Sequence, residues 1–308
     1  MKKVKSKFSL FMIAGITLAA ISISSCSKSD NNNNNTPPPP TPIGGYVSSD
    51  SVAADALLAY WPFDGDMNDH KGNLNATAVG TPKYATTGVR GQAYQGDSGV
   101  YATLVPPASF PTSLGSYTIS FWYNLAKNVD SNTTQGVFFY NGATQQGEII
   151  NEFENPANKN VNGDSVRIHS GFWDVGNEPA FGNFIPETFN LGAVGKWVFF
   201  TVTYNGGTST YTSYQNAVPT PASTAFTSGG YATPNPLYTD DTKSTPLGNL
   251  KLTDAPQSIV LASWPDGMFG QVAAKTCFLG KLDELRVYSR ALTQQEVSGL
   301  FLNGQANR

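Results

Sequence analysis

Cysteine and histidine are scarce in this chain of 308 residues, which contains two of each. With only Cys26 and Cys277 available, a scaffold held together by several disulfides is excluded. The two histidines, His70 and His169, lie far apart and accompany no cysteine cluster, so the sequence shows no zinc-binding pattern and no Ser-His-Asp order. We predict that Cys277 is a small buried hydrophobic residue on a strand rather than a reactive thiol.

Charge is also sparse, since Asp, Glu, Lys and Arg make up 13% of the sequence. The chain has 19 basic and 22 acidic residues, and four of its lysines lie within the first seven positions. Without those four, 15 basic residues face 22 acidic ones, and the formal charge falls from −3 to −7. This balance does not favour binding to nucleic acid or to an anionic membrane surface. We expect no nucleic-acid partner, and we expect a monomer.

The apolar run near the start, "FSLFMIAGITLAAI" at 8–21, is too short to span a bilayer comfortably. It follows the four lysines and precedes "ISSC", which ends at Cys26 and resembles a bacterial lipobox. This pattern predicts a lipoprotein signal peptide at 1–25, removed on processing, with lipid attached to the Cys26 thiol. The lipid would anchor the chain in the bacterial cell envelope as an outer-membrane lipoprotein, with exposure at the cell surface as one option.

The segment that follows is "SKSDNNNNNTPPPPTPIGG", which is rich in asparagine and proline. These residues cannot bury enough apolar surface to fold, so we predict a disordered tether over 26–50. The segment also resembles the surface-export leaders of Bacteroidetes-type lipoproteins. The tether would hold the remaining domain, residues 51–308, away from the membrane.

Residues 51–308 show the period of β-strands almost throughout. "YTISFWYNL" at 117–125 alternates between two faces, and "KWVFFTVTYNGG" at 196–207 is a β-branched and aromatic run closed by an Asn-Gly hairpin signal. Thr293 and Glu296 form a capping box that begins a predicted helix within 290–304, which Gly304 should end. Many strands and one short C-terminal helix predict an all-β fold of two antiparallel sheets packed face to face.

Two segments of this domain resemble laminin-G-like domains of the concanavalin A-like lectin/glucanase superfamily. Residues 57–97 resemble the opening of these domains, with an apolar strand, "WPFD", an Asn/Asp-rich turn and "GQAYQGD". Residues 280–301, "GKLDELRVYSRALTQQEVSGLF", resemble their closing strand and helix. The resemblance implies a β-jelly-roll sandwich whose first and last strands are neighbours. Residues 126–190 and 217–256 depart from the pattern, and we predict long loop insertions there.

The stretch "GEIINEFEN" at 147–155 places Glu148, Glu152 and Glu154 on one face of an extended strand. It resembles the "EIDIE" active-site strand of laminarinase-like glycanases, which carries three alternating acids. When Glu148 and Glu152 take the outer positions, Ile150 falls where the middle acid belongs. The flanking carboxylates then lack the group that would separate their pKa values.

We therefore predict no enzyme activity and interpret this stretch as a solvent-facing edge strand with Ile149 and Phe153 turned inward. The alternative is a weak or degenerate laminarinase-like glycoside hydrolase that uses Glu148 and Glu152.

A calcium site is a second feature that the resemblance implies. "DGDMND" at 64–69 begins like an EF-hand loop but lacks the glycine and glutamate that this motif requires later. In laminin-G and glucanase relatives, calcium often lies where the first and last strands meet. The resemblance therefore implies a structural Ca²⁺ bound by Asp64 and Asp283, with backbone oxygens near Asp97. The alternative is an Asx-rich turn with a surface salt bridge.

Sugar binding usually needs an aromatic platform with hydrogen-bonding side chains beside it. Three of the five tryptophans lie in predicted strands and are expected in the core: Trp61, Trp122 and Trp197. The other two lie in predicted loops next to Gly, Asp, Asn and Pro. The predicted ligand-binding residues are therefore Trp173, Asp174, Asn177, Trp264 and Asp266.

Together these features predict a surface-anchored lipoprotein whose domain binds an oligosaccharide or polysaccharide without cleaving it. A protein-binding adhesion module is a third hypothesis beside this one and the hydrolase, because a fold does not by itself choose among functions.

Overall fold

The structure is a computed structural model, and it describes residues 40–72, 74–106, 114–127, 134–141, 149–154, 164–172, 187–190, 192–220, 234–239, 242–250 and 258–308. Pro40–Arg308 forms one compact unit. The predicted signal peptide, most of the predicted tether and several predicted site residues lie outside the described residues: Cys26, Glu148, Trp173, Asp174 and Asn177.

Sixteen strands, numbered in chain order, are present in the described ranges. They are β1 (Leu57–Trp61), β2 (Thr77–Val79), β3 (Lys83–Ala85), β4 (Ala93–Gln95), β5 (Tyr101–Leu104), β6 (Tyr117–Asn124), β7 (Thr134–Asn141), β8 (Ile149–Glu154), β9 (Val166–Phe172), β10 (Glu187–Asn190), β11 (Val198–Asn205), β12 (Thr210–Gln215), β13 (Val218–Pro219), β14 (Asn235–Pro236), β15 (Ser258–Leu261) and β16 (Lys281–Tyr288).

These strands form two antiparallel sheets. The nine-stranded sheet has the order β13-β12-β11-β6-β16-β4-β3 in the described part of the chain, with β1 paired to β16 and β14 paired to β12. The seven-stranded sheet has the order β10-β9-β8-β7-β15-β5-β2 in the same residues. Because β1 pairs with β16, the first and last strands are neighbours. The predicted all-β, two-sheet jelly-roll sandwich with a short C-terminal helix is confirmed.

The main core lies between the two sheets because alternate strand residues turn inward. On β6, Ile119, Phe121 and Tyr123 are fully buried in this core. Trp122 lies between them in sequence and belongs to a second cluster on the outer face of the nine-stranded sheet. Trp61 is also in the main core, so the predicted burial of Trp61 and Trp122 is confirmed, whereas Trp197 is half-buried and packs against the second cluster from outside.

Helix α1 (Gln294–Gln305) covers the outer face of the nine-stranded sheet. The predicted capping box is present, since the Thr293 side chain accepts a hydrogen bond from Glu296 N and the Glu296 side chain accepts one from the Thr293 backbone. Gly304 does not end the helix as predicted; it lies inside α1, where a Cβ would approach Trp122 to within 2.9 Å. Among the described residues, no helix is long and apolar enough to cross a membrane.

The segment before β1 packs on the same helix. Residues 49–51 form a 3-10 helix, and Ser49 N donates to the Arg308 carbonyl at 3.1 Å. Asn303 Nδ2 donates to the Ile43 carbonyl at 2.9 Å. Residues from Ile43 onward therefore belong to the folded domain, although their composition places them in the tether.

Three local predictions are wrong. The supposed insertion at 126–190 carries β7, β8, β9 and β10, more than half of the seven-stranded sheet. The strand that holds Glu152 is not at an edge, because β8 lies between β7 and β9. Cys277 is buried and unpaired, as expected, but it lies in irregular chain before β16 rather than on a strand.

Candidate functional site on the outer face of the seven-stranded sheet

Strand β8 places both apolar and acidic side chains on the outer face of the seven-stranded sheet. Ile149 and Phe153 turn into the main core, which confirms the predicted inward face. Ile150 turns to the opposite side, so the two-residue period places Glu152 and Glu154 on that side too. Glu152 is nonetheless only 3% exposed, because other parts of the chain cover it. The prediction that this carboxylate faces solvent is therefore wrong.

Residues 262–276, which follow β15, cover part of this outer face. Gly136 N in β7 donates to the Thr276 carbonyl at 2.9 Å, and Ser263 Oγ donates to the Ala273 carbonyl at 2.6 Å. A side chain at Gly136 would collide with the backbone of Ser263 and Trp264, so glycine permits this close approach. The covering segment is thereby fixed against the sheet.

An apolar patch results where this segment meets the sheet. Its buried members are Phe139, Ile150, Val260, Trp264 and Met268, and Tyr101 packs against them while remaining half-buried. The rings of Phe139 and Trp264 lie 5.1 Å apart between centroids. The patch therefore stretches across strands β8, β7, β15 and β5, which are consecutive in the sheet.

Two of the predicted ligand-binding residues lie at this patch. Trp264 is 7% exposed, so its ring is packed inside the patch rather than presented to solvent. Asp266 is exposed, and its Oδ1 accepts a hydrogen bond from Ala273 N at 3.1 Å. Partial burial and the negative charge of Asp266 both raise the pKa of Tyr101. Sequence reasoning did not identify Tyr101.

A polar cluster borders the other side of the apolar patch, and it consists of Glu152, Glu154, Arg167 and His169. His169 Nδ1 lies 2.7 Å from Glu154 Oε1 and 3.5 Å from Glu152 Oε1. Arg167 Nη1 lies 2.5 Å from Glu154 Oε2, and Arg167 Nη2 lies 2.9 Å from His169 Nε2. The four side chains come from adjacent positions of β8 and β9, where Glu152 pairs with His169 and Glu154 pairs with Arg167.

The hydrogen bonds of the polar cluster define the tautomer of His169. A guanidinium can only donate, so His169 Nε2 must accept from Arg167. The imidazole proton therefore lies on Nδ1 and is donated to Glu154. Arg167 thus keeps the ring in one orientation.

Glu152 is the buried member of the polar cluster. Its pKa is raised to about 7, chiefly by burial and also by the negative charge of Glu154, although hydrogen bonding to the His169 ring and the Trp264 indole offsets part of the rise. No described residue makes a hydrogen bond of ordinary geometry to its second oxygen, Oε2. A buried carboxylate oxygen without such a bond costs free energy, which a bound ion or hydrogen-bond donor would recover.

The predicted calcium ligands lie elsewhere, at the loop of residues 88–92. Asp283 is fully buried, and its Oδ2 accepts from Val89 N at 2.6 Å and from Arg90 N at 3.1 Å. Asp64 Oδ1 accepts from Gln92 N at 2.6 Å. The structure thus brings Asp64 and Asp283 to the same loop.

The environment of Asp283 fits a cation with oxygen ligands. Its Oδ1 has no hydrogen-bond partner among the described residues. The pKa of Asp283 is raised to about 8, chiefly by burial and also by the negative charges of Glu284 and Asp64. A hard divalent cation would satisfy the Oδ1 oxygen and offset the repulsion between the two aspartates.

Asp97 does not join them as a side-chain ligand. Its side chain is about half exposed, and its Oδ2 lies 2.6 Å from Lys83 Nζ. Among the described residues, the three-membered group of acidic or histidine side chains whose ligand atoms all lie within 4.8 Å is Glu152, Glu154 and His169. Backbone oxygens or water would have to complete a cation site at Asp64 and Asp283.

Sequence reasoning missed the Arg167 and His169 half of the polar cluster. A signal was present, because "SVRIHSGF" alternates apolar Val166 and Ile168 with polar Arg167 and His169. That two-residue period predicts a strand with one polar face. The segment was assigned to an insertion instead, and so its pairing with β8 was not considered.

The two antiparallel sheets and the closing helix define a concanavalin A-like β-sandwich. A family model described as the concanavalin A-like lectin/glucanases superfamily matches residues 96–298, and the chain belongs to this superfamily. Among curated proteins, none matches the sequence.

Several solved structures share the fold. The ligand-binding domain of botulinum neurotoxin serotype D, in complex with N-acetylneuraminic acid, is 14% identical with a TM-score of 0.53, over 82% of this chain and 52% of that one. The binding domain of Paraclostridial Mosquitocidal Protein 1 is 16% identical with a TM-score of 0.52, over 80% of this chain and 52% of that one. This chain therefore spans about half the length of both toxin domains.

Domain 4 of AbnA, a GH43 extracellular arabinanase from Geobacillus stearothermophilus, in complex with arabinotriose, is 21% identical with a TM-score of 0.49. That likeness covers 80% of this chain and 98% of the arabinanase domain.

Proposed function

We propose that this chain is a non-catalytic carbohydrate-binding protein that a lipid on Cys26 anchors in the bacterial envelope. The observation that carries the proposal is the half-buried Tyr101 ring at the apolar patch, together with the exposed Asp266 on the segment that covers this face. A partly exposed aromatic ring can stack on a sugar face, and a nearby exposed carboxylate can accept hydrogen bonds from hydroxyls. Trp264 supports this edge from beneath rather than forming the stacking surface.

The arrangement around Ile150 argues against the hydrolase alternative. Ile150 packs in the apolar patch, so the position of a middle acid holds an apolar side chain. Glu152 is buried beneath the covering segment, and its predicted partner Glu148 lies outside the described residues. Because a retaining hydrolase needs two carboxylates that both reach the scissile bond, we infer binding without cleavage.

Calcium is part of the proposal in a structural role. Asp283 and Asp64 would hold the ion at the 88–92 loop, beside the junction of β1 and β16. The bound ion would supply positive charge between two carboxylates that otherwise repel each other.

The test of glycan binding is a pull-down with the Cys26→Ser chain on β-glucans, arabinans and sialylated glycans. Sialylated glycans are included because the serotype D toxin domain, whose fold this chain shares, was solved with N-acetylneuraminic acid. Tyr101→Ala and Asp266→Asn should each weaken retention by about tenfold to a hundredfold, the loss expected for a residue that contributes about 1–3 kcal/mol. Tyr84→Ala, on the other sheet, is the matched control and should bind normally.

The same incubation separates the alternatives through the release of reducing ends. Retention without new reducing ends supports the proposal. New reducing ends that disappear in Glu152→Gln would show hydrolysis and overturn it. Retention of no glycan by the wild-type chain would instead favour the protein-binding module.

A further inference from the structure

We propose that Glu152, Glu154 and His169 form a binding site for a transition-metal ion of borderline softness, represented by Zn²⁺. The site is distinct from the calcium site at Asp283, and the inference does not depend on glycan binding. It rests on the donor set, the spacing of the donor atoms and the buried oxygen of Glu152.

The donor set selects the class of ion. One imidazole nitrogen and two carboxylate oxygens suit Zn²⁺ or a similar ion, whereas Ca²⁺ and Mg²⁺ prefer oxygen ligands alone. Three protein ligands leave a fourth position open on a tetrahedral ion, which water or an external ligand could fill.

The spacing of the donors needs little change. Two ligands on a tetrahedral zinc ion lie about 3.4 Å apart when each bond is about 2.1 Å long. His169 Nδ1 lies 3.5 Å from Glu152 Oε1 already, and 2.7 Å from Glu154 Oε1. A small rotation of the Glu154 carboxylate would therefore open the space for the ion.

Glu152 supplies the independent indication of a ligand. It is more than nine-tenths buried, its Oε1 faces the His169 ring, and its Oε2 lacks a hydrogen bond of ordinary geometry among the described residues. The ion can enter from the other side, because the side chains of Glu154 and His169 are 17% and 16% exposed.

Arg167 would weaken the binding of the ion, so a substitution at this position provides a specific test of the proposal. When His169 Nδ1 binds a metal, the ring proton must lie on Nε2, where it would face the Arg167 donor 2.9 Å away. The guanidinium also adds a positive charge next to the cation. Arg167→Gln offers a side-chain oxygen that can accept the Nε2 proton, and so it should strengthen binding.

The test is calorimetric titration of the metal-free, full-length chain in detergent with Zn²⁺, in the absence of glycan. We expect one Zn²⁺ per chain, a loss of measurable binding in His169→Ala and Glu154→Gln, and about tenfold tighter binding in Arg167→Gln. His70→Ala is the matched control, because His70 pairs with an exposed Asp66 and should not contribute.

X-ray absorption at the zinc edge of the wild-type chain tests the ligands without any variant, and it should show one imidazole nitrogen with oxygen neighbours. Two results would overturn the proposal: zinc binding that is unchanged in His169→Ala, whether or not His70→Ala loses it, or no binding in either the wild type or Arg167→Gln. Equal competition by Ca²⁺ would overturn the assigned class of ion. A chain that binds Zn²⁺ but no glycan would leave this site standing while the proposed function fails.

Discussion

At the scale of single residues, Trp264 shows that burial decides what an aromatic side chain can do. Its ring packs on Phe139 within the apolar patch and is 93% removed from solvent, since only 7% is exposed. A ring in this position fills space between the sheet and its covering segment. If the domain binds sugar as we propose, the contribution of Trp264 would be indirect, through the placement of Asp266 two residues later.

We expect Trp264→Ala to destabilise the domain by about 3 kcal/mol, because truncation of a buried aromatic ring leaves a cavity. The measurement is the free energy of unfolding in urea. Trp197→Ala, at a half-buried tryptophan, is the matched control and should cost less. Unchanged stability in Trp264→Ala would mean that the ring is free to turn outward and stack on a ligand.

Asp283 is the second residue whose environment makes a specific prediction. Ca²⁺ at a hundredfold excess over its dissociation constant should stabilise the domain by about 2.7 kcal/mol, which raises the melting temperature by about 5 °C or more. Asp283→Asn and Asp64→Asn should abolish this response. In chelator, Asp283→Asn should melt no lower than the wild type, because ionisation of a buried carboxyl with a pKa of about 8 is unfavourable without a cation.

Differential scanning calorimetry with calcium or chelator checks this prediction. Asp266→Asn, an exposed aspartate at the other sheet, should keep the full calcium response. A wild-type melting temperature that changes with neither calcium nor chelator would contradict the proposed calcium site.

At the scale of elements, helix α1 depends on its first turn. Arg290 Nη2 lies 2.6 Å from Glu296 Oε1, and Thr293 N donates to Glu296 Oε2 at 2.8 Å. The hydrogen bonds and charge of Arg290 lower the pKa of Glu296 to about 2 from 4.5, despite partial burial. Because the folded state holds the proton more weakly than the unfolded state, this contribution is complete above pH 4.5 and is lost as the pH falls towards 2.

We expect unfolding midpoints in urea to fall between pH 5 and pH 2.5 by less in Glu296→Gln than in the wild type. Thr293→Ala should cost about 1 kcal/mol at neutral pH by removing the N-cap acceptor. An identical pH dependence in Glu296→Gln and the wild type would show that the capping box carries no net electrostatic stabilisation.

The elements also show which parts of the molecule local sequence can specify. The capping box of α1 and the hairpin after β11 depend on residues a few positions apart, and both were predicted. The burial of Glu152 depends on Trp264, more than a hundred positions away, and on the 262–276 segment that covers it. The two-residue period of "EIINE" contains no information about a distant segment that packs over the strand. The pattern therefore predicts Glu152 at the surface.

The polar cluster could not be predicted for the same reason, because it depends on the pairing of two separate strands. His169 meets Glu152 because β9 pairs with β8 in one register, and a shift of one residue would turn His169 to the core. The alternating pattern predicts that the polar side chains share a face. The pattern does not predict which strand pairs with β9.

At the scale of the whole molecule, the two chain ends of the domain are tied together on one sheet. Asp50 Oδ1 lies 3.0 Å from Arg286 Nη2, and Asp50 Oδ2 lies 2.6 Å from Arg90 Nη2. The Arg308 side chain donates to the Thr41 carbonyl at 3.0 Å. These contacts lie on the side of α1 and the nine-stranded sheet, whereas the apolar patch and the polar cluster lie on the outer face of the seven-stranded sheet.

This separation of anchor side and ligand face leads to the last prediction, which concerns Cys26. From the lipobox-like "ISSC" that ends at Cys26, we propose that lipid on Cys26 holds the chain in the membrane fraction. Cys26→Ser should move the protein to the soluble fraction after cell lysis, measured by immunoblot of fractionated cells. Its melting temperature should match that of the wild type, because within the described part of the chain the contacts of the domain start at Thr41, well after Cys26. Cys277→Ser, at the buried thiol, is the matched control and should remain in the membrane fraction. Retention of Cys26→Ser in membranes would contradict the lipid anchor and would require another means of attachment.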